Sequence, residues 1–410
     1  QTANGGIYDL NSVQADPLFV SPGTGDFTPS AYQVNNIGQN LGVAYDIIGN
    51  PRSGTAPDPG AFEFDLVGLD AAINWVSPVS PVSPGSNNIV VNITNNLSTT
   101  ITSLELAYTD GTTPVSEAFS GLNILPFTSQ QFTFTVPYNI AGNAAMRAYV
   151  QSVNGIMDDN QADDTTTVQN LCITLSGAYT INSGAPASLT NFQSFTALSN
   201  ALSCGGIGGP VTVDVVAGGS PYNEQVNFGP IPGSSAANTV TINGNGNTLT
   251  NAGTALGYQT LRMGGADYMI WNNLNIATTG ASSGFALIMA NASDNNQFNN
   301  CTFTVPQTLT ATTSGAVAFT ASNLAVANAG NNGNGNTFNG CTMSGGYYCV
   351  SVYGNTTTGG GIVGNQFINC NIKDYYTYGI YHLYATNTVV RGCIIERPTR
   401  ASVTTGYGMY

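Results

Sequence analysis

The side chains of this sequence that could do acid–base chemistry are few, and several of them gather near its end. Lys373, Asp374, His382, Arg391, Glu396 and Arg397 form the one polar cluster of the last third, and His382 is the only histidine. A carboxylate facing an imidazole, with a guanidinium one structural repeat away, has the parts for general acid–base catalysis. Cleaving a polysaccharide asks for more: paired carboxylates for hydrolysis, or an acidic Ca²⁺ cluster beside a basic residue for elimination. From Gly177 onward the acids are Asp214, Glu224, Asp267, Asp294, Asp374 and Glu396, never adjacent and never separated by a single residue. The cluster therefore reads as a solvated face with an ion pair or two, which contributes little to stability. No catalytic residue is assigned.

Three other groups carry candidate chemistry. The acidic run containing Asp158, Asp159, Asp163 and Asp164 offers oxygen ligands to Ca²⁺, but it lacks the EF-hand spacing with its closing Glu. Tyr375, Tyr376, Tyr378, Tyr381 and Tyr384 form the most aromatic surface candidate. Strand alternation turns some of them outward, where they could face a glycan, and buries the rest. Cys172 and Cys204 could pair in an oxidising compartment, though sequence alone does not fix connectivity. The other candidate thiols recur in a phrase.

That phrase determines which elements must position everything else. Asn296 to Phe303 reads NQFNNCTF, Asn336 to Met343 reads NTFNGCTM, and Asn365 to Ile372 reads NQFINCNI; a looser copy, NTVVRGCII, runs from Asn387 to Ile395. Copies separated by about 23 to 40 residues imply stacked supersecondary units. Each follows a short alternating run, such as Phe285 to Met289 or Cys349 to Tyr353. A parallel β-helix is expected, with Phe298, Phe338 and Phe367 inside beside a stack of reduced thiols, Cys301, Cys341, Cys370 and Cys393, since a free Cys behaves as a small hydrophobe. Asn and Gly at the corners accept the left-handed backbone.

Composition agrees. Charged residues make up 7% of the chain, against about 25% in ordinary domains, and stacked ladders disfavour like charges directly above one another. At 42% hydrophobic and 10% aromatic the chain is too apolar for a disordered tract. A net charge of −14 with 7 Lys plus Arg makes nucleic acid and anionic membrane poor partners. No apolar run is long enough to span a bilayer, so membrane insertion is not expected, and no cofactor is required beyond the Ca²⁺ candidate.

The chain reads in three sections. Residues 1–66 carry Asp16-Pro17-Leu18-Phe19, Asp46-Ile47-Ile48-Gly49-Asn50-Pro51-Arg52 and Asp58-Pro59-Gly60-Ala61-Phe62-Glu63-Phe64. These phrases, in this order, resemble the closing segment of secreted bacterial β-helix proteins. Residues 67–171 contain a proline-punctuated joint at Trp75 to Gly85 and continue with period-two runs Ile89/Val91/Ile93, Leu104/Leu106/Tyr108, Phe132/Phe134/Val136 and Met146/Ala148/Val150. Those runs mark half-buried strands of an antiparallel sandwich. The section resembles the immunoglobulin-like spacers of surface proteins exported by the type IX secretion system. Residues 172–410 begin with Phe195, Leu198 and Leu202 on one helical face, a cap for the open end of a β-helix, and they resemble the N-terminal part of the same secreted family.

The expected fold is all-β: right-handed parallel β-helix segments flanking an immunoglobulin-like sandwich. An ending, a spacer and a beginning in that order imply a window from a longer tandem array, or partial helices that complete one another between molecules as a filament. The resemblance implies an extracellular, cell-surface, non-catalytic repeat protein, an adhesin or structural component associated with gliding motility. Its expected partners are the secretion machinery, further modules or copies, and a polysaccharide or surface glycan. The alternative is a β-helix lyase or glycoside hydrolase whose site lies at the edge of this segment or outside it.

Overall fold

The computed structural model describes residues 15–65, 68–157, 159–217, 219–355, 361–403 and 405–410. The chain divides into two compact units, one comprising residues 1–79, 85–139 and 144–171, the other residues 80–84, 140–143 and 172–410.

The first unit contains an antiparallel sandwich. One sheet orders Ala71–Ser77, Val90–Asn95 and Ser129–Thr133; the other orders Val115–Ile124, Ile101–Thr109, Ala144–Val153 and Gln169–Leu171. Alternation places Ile73 opposite Ile93 and Val91 opposite Phe132, all buried. Tyr108 meets Phe134 edge to face at 5.0 Å, and its hydroxyl donates to the Val136 carbonyl at 2.9 Å. Val136, expected inside, is instead exposed: the strand ends at Thr133, so the period-two rule no longer governs it.

Residues 15–65 form no parallel ladder among themselves. They contain two single-turn 3₁₀ helices, Pro22–Thr24 and Tyr32–Val34, and two isolated bridges. Their Asp- and Gly-containing phrases close loops. The Asp46 carboxylate accepts from the amides of Ile48, Asn50 and Glu63 at 2.9, 2.7 and 3.0 Å, and Glu63 accepts from Ser53 and pairs with Arg52 at 3.4 Å. Without a sheet ladder, loop amides are satisfied by turns, side chains or water, and these acids serve several of them.

The parallel β-helix is built by the residues from Cys172 on. The chain visits three parallel sheets in turn, of nine, seven and seven strands among the described residues. The repeated phrase occupies the first two: Gln297–Asn299, Thr337–Asn339 and Gln366–Ile368 lie side by side in the first, and Thr302–Thr304, Thr342–Ser344 and Asn371–Lys373 in the second. In-register stacking makes columns. Trp271, Phe298, Phe338 and Phe367 stack at 6.1, 4.8 and 5.0 Å with ring planes within 8°. Asn296, Asn336 and Asn365, buried at each coil's entry to the first sheet, pass hydrogen bonds upward: each lower amide nitrogen donates to the next Oδ1, at 3.1 Å in both steps. An outer row runs Asn299 to Asn272 to Asn243 to Asp214 at 3.0, 3.0 and 2.8 Å.

One corner repeats in the left-handed conformation, with φ of 51°, 54°, 65°, 53° and 66° at Asn273, Asn300, Gly340, Asn369 and Gly392. Only Asn and Gly occupy it, for the steric reason that L residues with larger side chains avoid positive φ.

The helix Phe195–Gly205 covers the first coils, burying Phe195, Leu198 and Leu202. Ser194 Oγ caps it through the Ala197 amide at 3.0 Å, and the Glu224 carboxylate accepts from the amides of Phe195 and Thr196 at 3.1 and 2.8 Å. A carboxylate at a helix start satisfies amides that have no partner in the helix.

Candidate functional site

The polar cluster does not assemble. Asp374, at φ 55°, is buried. Its carboxylate accepts from the Thr399 amide, the Thr399 hydroxyl and the Arg400 amide at 2.9, 2.8 and 3.0 Å. Arg400, which sequence reasoning passed over, is also buried and donates to the carbonyls of Asp374, Leu309 and Ser402. His382 turns to Thr388 at 2.9 Å, and burial lowers its pKa. Arg391 and Glu396 are exposed. Asp374 is thus a buried loop anchor rather than part of the expected solvated face, and His382 faces Thr388 instead of it.

The acidic run is spread out. Asp159 accepts from the Leu69 amide at 2.8 Å, and Asp163 accepts from the side-chain amides of Asn96 and Asn160 at 3.1 and 2.9 Å. Asp158 lies outside the described residues. Among the described residues no group of three or more His, Cys, Asp or Glu converges to hold a metal ion.

Cys172 and Cys204 are joined, their Cα atoms 5.7 Å apart, closing the cap helix onto the first coil. Cys301, Cys341 and Cys370 are buried and Cys393 is partly buried. Their thiols donate one coil down, to the carbonyls of Trp271, Phe298, Phe338 and Phe367 at 3.5, 3.2, 3.4 and 3.3 Å. A fifth thiol, Cys349, is buried in the third sheet, and burial raises its pKa.

What the structure does gather is tyrosine. In the third sheet, Cys349, Val350, Val352 and Ile380 belong to the core; two adjacent inward residues interrupt strict alternation, which leaves Tyr348 and Ser351 outside it, and Tyr378 and Tyr381 in the next coil. Over the earlier coils the outer residues are apolar: Phe285, Ile288, Ala290 and Ala318 pack under Val326 of the loop 320–335 as a separate cluster. Further along the stack the outer residues become phenols. Tyr348, Tyr378 and Tyr407 are in register and stack at 5.2 Å each, with ring planes 6° and 14° apart. Tyr381 and Tyr410 stack beside them at 5.6 Å and 4°. The two columns meet edge to face, Tyr378 with Tyr381 at 5.2 Å and Tyr407 with Tyr410 at 5.6 Å.

Of the five tyrosines picked out in sequence, Tyr378 and Tyr381 belong to this face. Tyr384 is exposed and meets Tyr353 at 5.6 Å. Tyr376 lies against Tyr347 at 5.8 Å and under the Arg400 guanidinium. Tyr375 is a correction: it is 6% exposed and joins the core, because Asp374 turns the chain inward at its left-handed φ. Tyr348, Tyr407 and Tyr410 were missed, although the recurrence of Tyr at the opening of successive alternating runs was a signal for them.

Burial first, then neighbouring phenols, raise the pKa of Tyr348 to about 12 and raise Tyr378 and Tyr381 as well.

No family model and no curated protein matches the chain. Among solved structures it is similar to the CARDB domain of a Pyrococcus furiosus protein in complex with di-metal ions, at 15% identity and a TM-score of 0.23, over 28% of this chain and 100% of that one. A likeness of that size carries no argument about this chain.

Proposed function

We propose that this chain is a non-catalytic extracellular scaffold, a surface adhesin or structural component. One observation carries the reading: the carboxylate best placed for chemistry, Asp374, spends its oxygens on Thr399 and Arg400, while the one histidine faces a threonine. A general acid or base must reach a substrate proton, and a carboxylate occupied by three donors inside a loop does not. The Cys172–Cys204 bridge supports an oxidising compartment. The ladders of Asn, Phe and thiol support a stiff stack, since each coil's polar groups are satisfied by the next. The resemblance to type IX-exported surface proteins supports placement at a bacterial cell surface, in tandem with further modules.

The test is incubation of the full chain with a panel of neutral and uronic-acid polysaccharides, with and without Ca²⁺, followed by assay for new reducing or unsaturated ends. No release is expected. Release that disappears in Asp374→Ala or His382→Ala would replace this reading with a β-helix lyase or hydrolase.

A further inference from the structure

From the ring geometry we infer that the tyrosine face of the third sheet, centred on Tyr348, Tyr378, Tyr381, Tyr407 and Tyr410, is a binding site for a neutral polysaccharide lying along the stack. The inference rests on the scaffold reading and names what such a scaffold would hold.

The fold treats the two halves of this face differently. Where the outer residues are aliphatic or Phe, the chain lays its own loop over them and buries Val326 there. Where the outer residues are Tyr, the rings are only partly covered: Tyr348 borders the Val326 cluster, and Tyr348, Tyr378 and Tyr381 stay half-buried. An apolar face left in water invites non-specific association, whereas a phenol has an apolar body and a hydrated tip. Tyr is also a large contact surface with little side-chain freedom to lose.

The chemistry of the face selects the ligand. Within each column the rings cover one another's faces at 5.2–5.6 Å, so what they present outward is a row of ring edges and hydroxyls. A phenol hydroxyl both donates and accepts, and so does every sugar hydroxyl; C–H groups of the sugar rings meet the aromatic edges. Anionic polymers are disfavoured, because recognising carboxylate or sulfate calls for Arg or Lys and the stacked rings of this face are neutral phenols. The net charge of −14 acts in the same direction. Repetition at the rung spacing over three coils suits a linear polymer, whose own units repeat, better than a single small molecule.

Affinity electrophoresis of the full chain tests this, using gels that contain a neutral β-glucan, mannan or arabinoxylan, or anionic alginate or pectate. At least one neutral polymer is expected to retard the protein. The double variant Tyr378→Ser with Tyr381→Ser should bind at least about tenfold more weakly. Tyr378→Phe with Tyr381→Phe, which keeps the ring packing and removes two hydroxyls, should fall between, and Tyr45→Ser on the other unit should match the parent. Retardation by no neutral polymer, retardation by the anionic ones alone, or equal binding by the Ser variant would overturn the inference. So would a tyrosine-dependent dimer in sedimentation without polysaccharide binding, which would assign the face to a second copy. Cleavage of a bound polymer would refute the scaffold reading and leave the binding face standing; absence of binding without cleavage does the reverse.

Discussion

The Cys370 thiol donates to the Phe338 carbonyl of the coil below at 3.4 Å, and Cys393 repeats the contact with Phe367 at 3.3 Å. A thiol is a weak donor, so the bond alone is small. Its value lies in repetition: Cys301, Cys341, Cys370 and Cys393 make the same contact one coil down, so each sulfur is hydrogen-bonded where it packs. The cysteines are therefore parts of the packing, and their reactivity is suppressed by burial.

Thiol counting checks this. The native chain should react at no more than one cysteine, the partly buried Cys393, on the time scale of a few minutes with a disulfide reagent. In denaturant all five free thiols should respond. Rapid reaction of three or more in the native state would contradict a packed thiol column.

Asn336 should be the most sensitive polar position of the inner ladder. Its Oδ1 accepts from Asn296 and its amide nitrogen donates to Ser293 O and Asn365 Oδ1 at 2.9 and 3.1 Å. Asn336→Leu leaves partners buried above and below, with an expected loss of about 2 to 4 kcal/mol. Asn339→Ala, exposed on the neighbouring strand, should cost less than about 0.5 kcal/mol. Denaturant midpoints of the two variants measure the difference.

Gly340 tests the corner rule. Its φ is 65°, and a Cβ there would meet Asn300 Oδ1 of the coil below. Gly340→Val should lower stability by about 2 kcal/mol or more, combining positive φ with a branched side chain. Gly340→Asn should recover most of that loss, since Asn300 and Asn369 hold the same corner one coil away on either side. If both variants were equally destabilised, contact with Asn300 rather than backbone conformation would control the site.

The β-helix was legible because its signal repeats: four copies of one phrase identified the Phe, Asn and Cys columns before any coordinates. The cap helix was legible from Phe195, Leu198 and Leu202 alone. The fate of Asp374 was not, because its partners, Thr399 and Arg400, lie about a coil further along and outside the repeat. Tyr375 was misplaced for a related reason: alternation predicts facing only inside a strand, and Tyr375 sits in the turn after Asn371–Lys373. The tyrosine face was half legible, since Tyr378 and Tyr381 drew notice as a local cluster, whereas the site is a column and needs register to be seen. In residues 15–65 the role of Asp46 and Glu63, whose carboxylates accept from loop amides, was not legible, because the phrases that carry them fix no hydrogen-bond partners.

Reducing the Cys172–Cys204 bridge should loosen the cap before the stack. It closes a loop with a sequence separation of 32 residues, which chain-entropy arguments value at about 3 to 4 kcal/mol. In Cys172→Ser with Cys204→Ser, amides of the helix Phe195–Gly205 should exchange hydrogen much faster, while those of Gln366–Ile368 stay protected. Uniform loss of protection along the whole stack would mean that cap and coils unfold as one unit.

The tyrosine columns should make the protein sensitive to alkali. Tyr348 ionises at about 12 in the folded chain, against about 10 when unfolded. The sign follows from linkage: the unfolded chain gives up its phenolic protons first, so the contribution is fully present below pH of about 10 and is lost as pH rises from there toward 12. Tyr378 and Tyr381, also raised, act in the same direction. Ultraviolet titration of phenolate absorbance should show a late-ionising group of tyrosines that becomes ordinary on denaturation. Tyr348→Phe with Tyr378→Phe and Tyr381→Phe should shrink that group and flatten the fall of the denaturant midpoint above pH of about 10. An unchanged alkaline profile in the triple variant would show that these phenols are as free as tyrosines in open water, and the face would then be no packed array at all.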